Sequence, residues 1–93
     1  MKFQLRQPEA FQAVAETGNV TKAAKHLGVS QPAVSRLLSD FARSVGFELF
    51  DRRQGVLVAT PEARYLLAEV KRILDGLDHL EDLRRDLTER TGG

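Results

Sequence analysis

Apolar and polar residues follow a helical period in three short stretches, each closed by a glycine. Leu5, Phe11, Val14 and Ala15 mark one side of a first helix. Pro8 is tolerated there because the first turn has no internal acceptor for its N–H. Gly18 ends this helix, and Asn19 can cap a second one with Val20, Ala23, Ala24 and Leu27 on its apolar side. Gly28 closes the second helix. Ser30 caps a third, with Gln31 and Pro32 in its first turn and Val34, Leu37, Leu38, Phe41 and Val45 facing inward, until Gly46.

After Gly46 the period changes. Phe47, Leu49 and Phe50 precede a polar stretch, Asp51-Arg52-Arg53-Gln54-Gly55, which reads as a turn, and Val56-Leu57-Val58 follows with β-branched preference. A small hairpin fits this pattern. Thr60-Pro61-Glu62 then opens a last helix: Thr caps, Pro takes the first helical position, and Glu complements the positive end of the dipole. That helix is predicted to run from Pro61 to about Arg90, roughly 45 Å at 1.5 Å per residue. Thr91-Gly92-Gly93 reads as a fraying end. The chain thus divides into residues 1–60, a small mainly α body with a hairpin, and residues 61–93, a long helix.

Leu66, Val70, Ile73, Leu77, Leu80 and Leu87 alternate at four- and three-residue spacing along that helix, with Arg84 where the next apolar residue is due. Leu67, Leu74 and Leu83 widen the apolar side. A helix of this length overruns so small a body, so part of its apolar surface needs a partner. Leu66, Val70, Ile73, Leu74, Leu77 and Leu80 are the candidate dimerisation residues, and a homodimer is the expected assembly.

Composition sharpens this picture. Ninety-three residues with five Phe and no Trp give a small core, which oligomerisation would enlarge. The chain has no Cys, so it has no disulfide framework, thiolate nucleophile or cysteine zinc site. With two His far apart, no metal and no cofactor is expected. The apolar runs are too short to cross a bilayer and Met1-Lys2-Phe3-Gln4 lacks a signal-peptide core, so a cytoplasmic, nucleoid-associated location is expected. Eight Lys/Arg against five Asp/Glu give +3 over residues 1–53, and six against eight give −2 over residues 54–93. An anionic partner is therefore expected at the N-terminal part only.

A short helix, a tight glycine turn and a longer helix form a helix-turn-helix arrangement, in which the third helix enters the major groove of double-stranded DNA. Its exposed N-terminal residues are Gln31, Pro32, Ser35 and Arg36. Gln bonds bidentately to adenine, Arg to guanine or phosphate, and Ser to either, while Pro offers an apolar surface to a thymine methyl. Residues at i and i+4 share a helix face, so Gln31 and Ser35 point the same way. Lys22 and Lys25 flank the second helix as sources of phosphate attraction, Lys22 being nearer its start.

Thr21-x-Ala23-Ala24-x-x-Leu27, Ser30-Gln31-Pro32-Ala33-Val34-Ser35-Arg36 and Gly46-x-x-Leu49-Phe50-x-Arg52 together resemble the signature of LysR-type transcriptional regulators, over roughly residues 5–77. The resemblance implies a winged helix-turn-helix with a β-hairpin wing, followed by a long linker helix and a separate effector-binding domain. It implies base reading by Gln31, Pro32, Ser35 and Arg36, and backbone contacts by Thr21 and Arg52, to which Lys22, Ser30 and Arg53 add polar or cationic groups. A dimer would read an inverted repeat. A small-molecule effector would bind only through a C-terminal domain that this chain lacks. Thr60-Pro61-Glu62-Ala63 and Gly76-Leu77-Asp78 resemble the branch of lysine and opine regulators. The chain departs from many members at Asp40-Phe41, at Arg64, and at Gly55, where many place an Arg at the wing tip; minor-groove insertion by the wing would then require Arg53 to reach instead.

Two other functional classes fit parts of the sequence. Some winged-helix domains bind proteins, but that use calls for exposed apolar residues on the third helix, where Gln31, Ser35 and Arg36 stand. A dimerising antagonist of a full-length regulator would use the last helix alone. An enzyme is not expected: Ser30, Ser35 and Ser39 have no His placed as a base, and there is no phosphate loop or paired-carboxylate pocket.

Overall fold

The computed structural model describes residues 4–91. Met1 to Phe3 at one end, and Gly92 and Gly93 of the expected fraying end, lie outside the described residues. Three helices, a hairpin and a long helix follow in order: α1 (Arg6–Thr17), α2 (Val20–Leu27), α3 (Gln31–Val45), β1 (Phe50–Arg53), β2 (Val56–Ala59) and α4 (Pro61–Thr91). This is the mainly α, winged helix-turn-helix architecture expected from the pattern, with the long helix stretching the molecule to 54 × 24 × 21 Å.

The caps that set these boundaries are side-chain hydrogen bonds. Asn19 Oδ1 accepts from the Lys22 N–H at 2.9 Å, and Ser30 Oγ accepts from the Ala33 N–H at 3.2 Å. Each satisfies one of the donors that a helix start leaves unpaired. At the start of α4, Thr60 Oγ1 accepts from the Ala63 N–H at 3.2 Å and donates to the Glu48 carbonyl at 2.7 Å. Its own N–H donates to the Leu49 carbonyl at 3.0 Å. The buried Thr60 therefore both caps α4 and ties it to the segment entering the hairpin.

The core forms two connected parts. Ala10, Ala13, Val14, Ala23, Ala24 and Val34 join α1, α2 and α3, and the small Ala23 and Ala24 let α2 lie close against its neighbours. Phe11, Phe41, Leu49, Ala63 and Val70 join α1 and α3 to the base of the hairpin and to α4. The Phe11 ring sits 5.7 Å from that of Phe41 and 5.5 Å from that of Phe50, both tilted, in the range where aromatic pairs attract. Leu38 and Phe50 touch both parts. Leu5, assigned to the apolar side of α1, instead precedes that helix and is exposed.

The hairpin differs from the sequence reading. Asp51-Arg52-Arg53 is not turn but strand: Asp51 pairs with Val58, Arg52 with Leu57 and Arg53 with Val56. Only Gln54 and Gly55 form the turn, with φ of 53° and 79°. Both central residues then have positive φ, as in the two-residue turn whose twist suits a hairpin. Charged residues are tolerated in β1 because a two-stranded ribbon leaves much of its surface in water. The ribbon is held to the body at Gly18, whose carbonyl accepts from the Leu57 N–H at 3.0 Å. A Cβ at Gly18 would stand 2.7 Å from Val56 Cγ1, and φ there is +70°, so the close approach of the hairpin requires glycine.

The apolar side of α4 divides in two. Leu66, Leu67, Val70 and Leu74 pack on the body, whereas Ile73, Leu77, Leu80, Leu83 and Leu87 are exposed. Val70 is only 4 % exposed and is committed to the core of its own chain, so it leaves the set available to a partner. The sequence period could not separate the two roles, because one apolar arc on α4 serves the body first and then continues beyond it.

Candidate nucleic-acid interface

The turn between α2 and α3 sets the geometry of the exposed face of α3. Val34 and Phe41 are fully buried and Leu37 and Leu38 half-buried, which turns Gln31, Pro32, Ser35 and Arg36 outward together. On this face the chain presents two amide- or hydroxyl-bearing side chains, one guanidinium and one apolar ring.

A cleft of about 270 Å³ forms where three elements meet. Thr21 reaches it from the first turn of α2, Gln31 and Ser35 from α3, and Arg52 from β1, with Gly18, Asn19, Val20, Gly55 and Leu57 completing its walls. Four of the candidate residues, distant in sequence, are thus brought to one surface. Pro32 and Arg36 lie beside them on α3, and Lys22 is exposed on the first turn of α2. Ser30 stands at the start of α3, where its oxygen serves as the cap acceptor. Arg52 and Arg53 part company. Side chains alternate along a strand, so Arg52 shares the face of Phe50 and Leu57, and Arg53 emerges on the other face, opposite Val56. Sequence reasoning left Gln54 out of the candidate set, although it stands at the hairpin tip next to this cleft.

Charge is distributed to the same effect. Among the described residues the ion pairs are Asp40–Arg43 at 3.4 Å, Glu69–Arg72 at 2.8 Å, Glu81–Arg84, and Asp82–Arg85 at 3.4 Å. None involves Lys22, Arg36, Arg52 or Arg53, so these four cations keep their full field for an external anion. On α4, hydrogen bonds from Arg72 and Arg84 hold the Glu69 and Glu81 carboxyls below their usual range. The acidic side chains Glu9, Glu16 and Asp78 line a separate cleft between α1, α2 and α4.

A helix-turn-helix whose second helix exposes Gln31, Pro32, Ser35 and Arg36, flanked by a hairpin wing and by cations without an ion-pair partner among the described residues, is the architecture of a winged DNA-binding domain. The profile of the bacterial regulatory helix-turn-helix proteins of the lysR family matches residues 5–64, and the chain belongs to that family. It is 45 % identical over 89 residues to the octopine catabolism/uptake operon regulatory protein OccR of Rhizobium meliloti, a match covering 96 % of this chain and 30 % of OccR. It is 41 % identical over 85 residues to the transcriptional activator protein LysR of Escherichia coli strain K12, covering 91 % of this chain and 27 % of LysR. Both agree with the branch suggested by the sequence. Among solved structures, the BenM DNA-binding domain in complex with benA site 1 DNA superposes with a TM-score of 0.84 at 27 % identity, over 92 % of this chain and 97 % of that one. The chain spans less than a third of the length of these curated relatives.

Proposed function

We propose that this chain is the operator-reading part of a cytoplasmic transcriptional regulator, binding DNA as a homodimer with one α3 in the major groove of each half of an inverted repeat. The observation that supports this reading is the convergence of Thr21, Gln31, Ser35 and Arg52 on one cleft, next to cations that no carboxylate among the described residues neutralises. Gln31, Ser35 and Arg36 supply base discrimination, with Pro32 against a thymine methyl. Lys22, Thr21, Ser30, Arg52 and Arg53 hold the phosphates and supply much of the affinity. The fold is used for binding and not for catalysis.

Residues 61–93 act as the dimerisation element through the exposed stripe Ile73, Leu77, Leu80, Leu83 and Leu87, helped by Leu66 and Leu74 at its edge. Isolated apolar residues on a surface are ordinary, but a stripe of five on a helix leaving its own body favours a helical partner. The full-length regulator would respond to a small-molecule effector through a further domain, as the family resemblance implies.

In-vitro selection of random duplex DNA by the purified chain tests the proposal. Enrichment of an interrupted inverted repeat is the expected result. No enrichment, at a concentration where sedimentation shows a dimer, would move the function to protein docking or to antagonism of a full-length partner.

A further inference from the structure

Gly76 is the central residue of the 31 in α4. A glycine inside a helix weakens it about fivefold in equilibrium relative to alanine. Nothing in the described part of the chain requires glycine at this position. Its φ is not positive, unlike those of Gly18, Gly28, Gly46 and Gly55, and a Cβ added to it would meet nothing within 4 Å.

The residues around it are weak in the same sense. Asp75 and Asp78 flank it; aspartate is a poor helix former, and like charges neighbouring each other on a helix surface repel. The ion pairs that brace α4 avoid this stretch. Glu69–Arg72 precedes it, Glu81–Arg84 and Asp82–Arg85 follow it, and no ion pair among the described residues has a member between 73 and 80. Support from the body ends here as well: Leu66, Leu67, Val70 and Leu74 pack on the core, whereas every residue from 75 to 90 is exposed. The helix thus comprises a half fixed to the body, a half braced by its own ion pairs, and an unbraced centre over residues 75–78.

We propose that residues 75–78 form a hinge, at which the distal half of α4 turns relative to the DNA-reading body. This inference rests on the dimeric reading function proposed above. Hinges are a few residues that absorb a change of backbone angle between two firmer parts. Here one part is joined to α3 through the core and through Thr60, and the other carries Leu80, Leu83 and Leu87 toward the second copy. A bend of about 10° at Gly76, acting over the roughly 22 Å to the start of α4, moves the body by about 4 Å. That is about one base-pair rise of roughly 3.4 Å, so the hinge lets one dimer accept half-sites at more than one separation.

Hydrogen exchange of the dimeric chain reads the hinge itself. The amides of residues 77–80, whose hydrogen bonds span Gly76, are expected to exchange faster than those of residues 66–74 and 82–87, and Gly76→Ala is expected to slow them about fivefold. Binding reads its use: moving the half-sites of the selected duplex apart by one base pair is expected to weaken Gly76→Ala about fivefold more than wild type. Exchange rising steadily toward the C-terminus, with no maximum at residues 77–80, would overturn the proposal, since that pattern is fraying alone. Equal sensitivity to half-site spacing in wild type and Gly76→Ala would overturn it too. Loss of dimers in Gly76→Ala, read by sedimentation, would also do so, because the glycine would then serve the close approach of a second helix. Failure of the wild type to bind any selected duplex would instead sink the DNA-reading function, and the exchange pattern alone would then decide the hinge.

Discussion

Replacing Gly18 by alanine tests how the hairpin is held against the helical body. Two costs arise at that position. The φ of +70° is unfavourable for any residue with a Cβ, by about 1 kcal/mol. The new Cβ would also stand 2.7 Å from Val56 Cγ1, and a β-branched side chain has little rotameric freedom with which to retreat. Relief requires a shift of the ribbon, at about 1–3 kcal/mol for overpacking of this kind. Gly46 supplies the control: its φ of +87° carries the first cost, but nothing lies within 4 Å of a Cβ there. Gly18→Ala is therefore expected to cost about 2–4 kcal/mol and Gly46→Ala about 1, read by far-UV circular dichroism melting at roughly 4–8 °C per kcal/mol for a domain of this size. Adding Val56→Ala to Gly18→Ala should recover about 1 kcal/mol of the steric part and none of the conformational part. Gly18→Ala melting no lower than Gly46→Ala would refute the idea that this contact anchors the hairpin.

Other consequences follow from the same geometry. Gln31→Ala or Arg36→Ala should each cost about 1–3 kcal/mol on the selected duplex and relax preference at one base pair, whereas Arg52→Ala should weaken all duplexes alike and reduce the salt slope by about one; a changed sequence preference in Arg52→Ala would reverse that assignment. Leu80→Gln should shift sedimentation toward monomer while leaving the body's melting nearly unchanged, since Leu80 is 59 % exposed. Val70→Ala should instead lower the melting temperature by removing buried volume, at about 1–3 kcal/mol. The Glu69 and Glu81 carboxyls are held below their ordinary value of 4.5 by hydrogen bonds from Arg72 and Arg84, so the stability they lend α4 is complete above that pH and is lost as pH falls through their lowered values. Both pairs are exposed, so Glu81→Gln should flatten only a small loss of α4 helicity as pH falls below the ordinary carboxylate value; an unchanged profile would show that the pair does not order the helix.

Much of this could be read from residue order, because the signals concerned are local. Asn19, Ser30 and Thr60 announce helix starts through hydroxyl or amide oxygens that reach their own backbone a turn later, and the apolar spacing of Val34, Leu37, Leu38 and Phe41 assigns the exposed face of α3. The hairpin boundary was less legible: Asp51-Arg52-Arg53 has turn-like polarity, yet an exposed ribbon accepts it as strand. Val70 was misread because an apolar helix residue looks the same whether it meets its own body or a second chain. The union of Thr21, Gln31, Ser35 and Arg52 is a tertiary fact, reached in the sequence only through a family resemblance. Nothing in residue 54 itself signalled a positive φ; the clue was that only Gln-Gly remains once Arg53 pairs with Val56.

The central claim is that DNA meets the face shared by α3, the start of α2 and the hairpin. Amide chemical-shift mapping of the labelled chain during titration with the selected duplex tests it most directly. The expected result is perturbation centred on Thr21, Gln31, Ser35, Arg36 and Arg52 to Gly55, with Glu9, Glu16 and Asp78 unaffected. Perturbation centred on those acidic residues between α1 and α4, with α3 silent, would contradict the account.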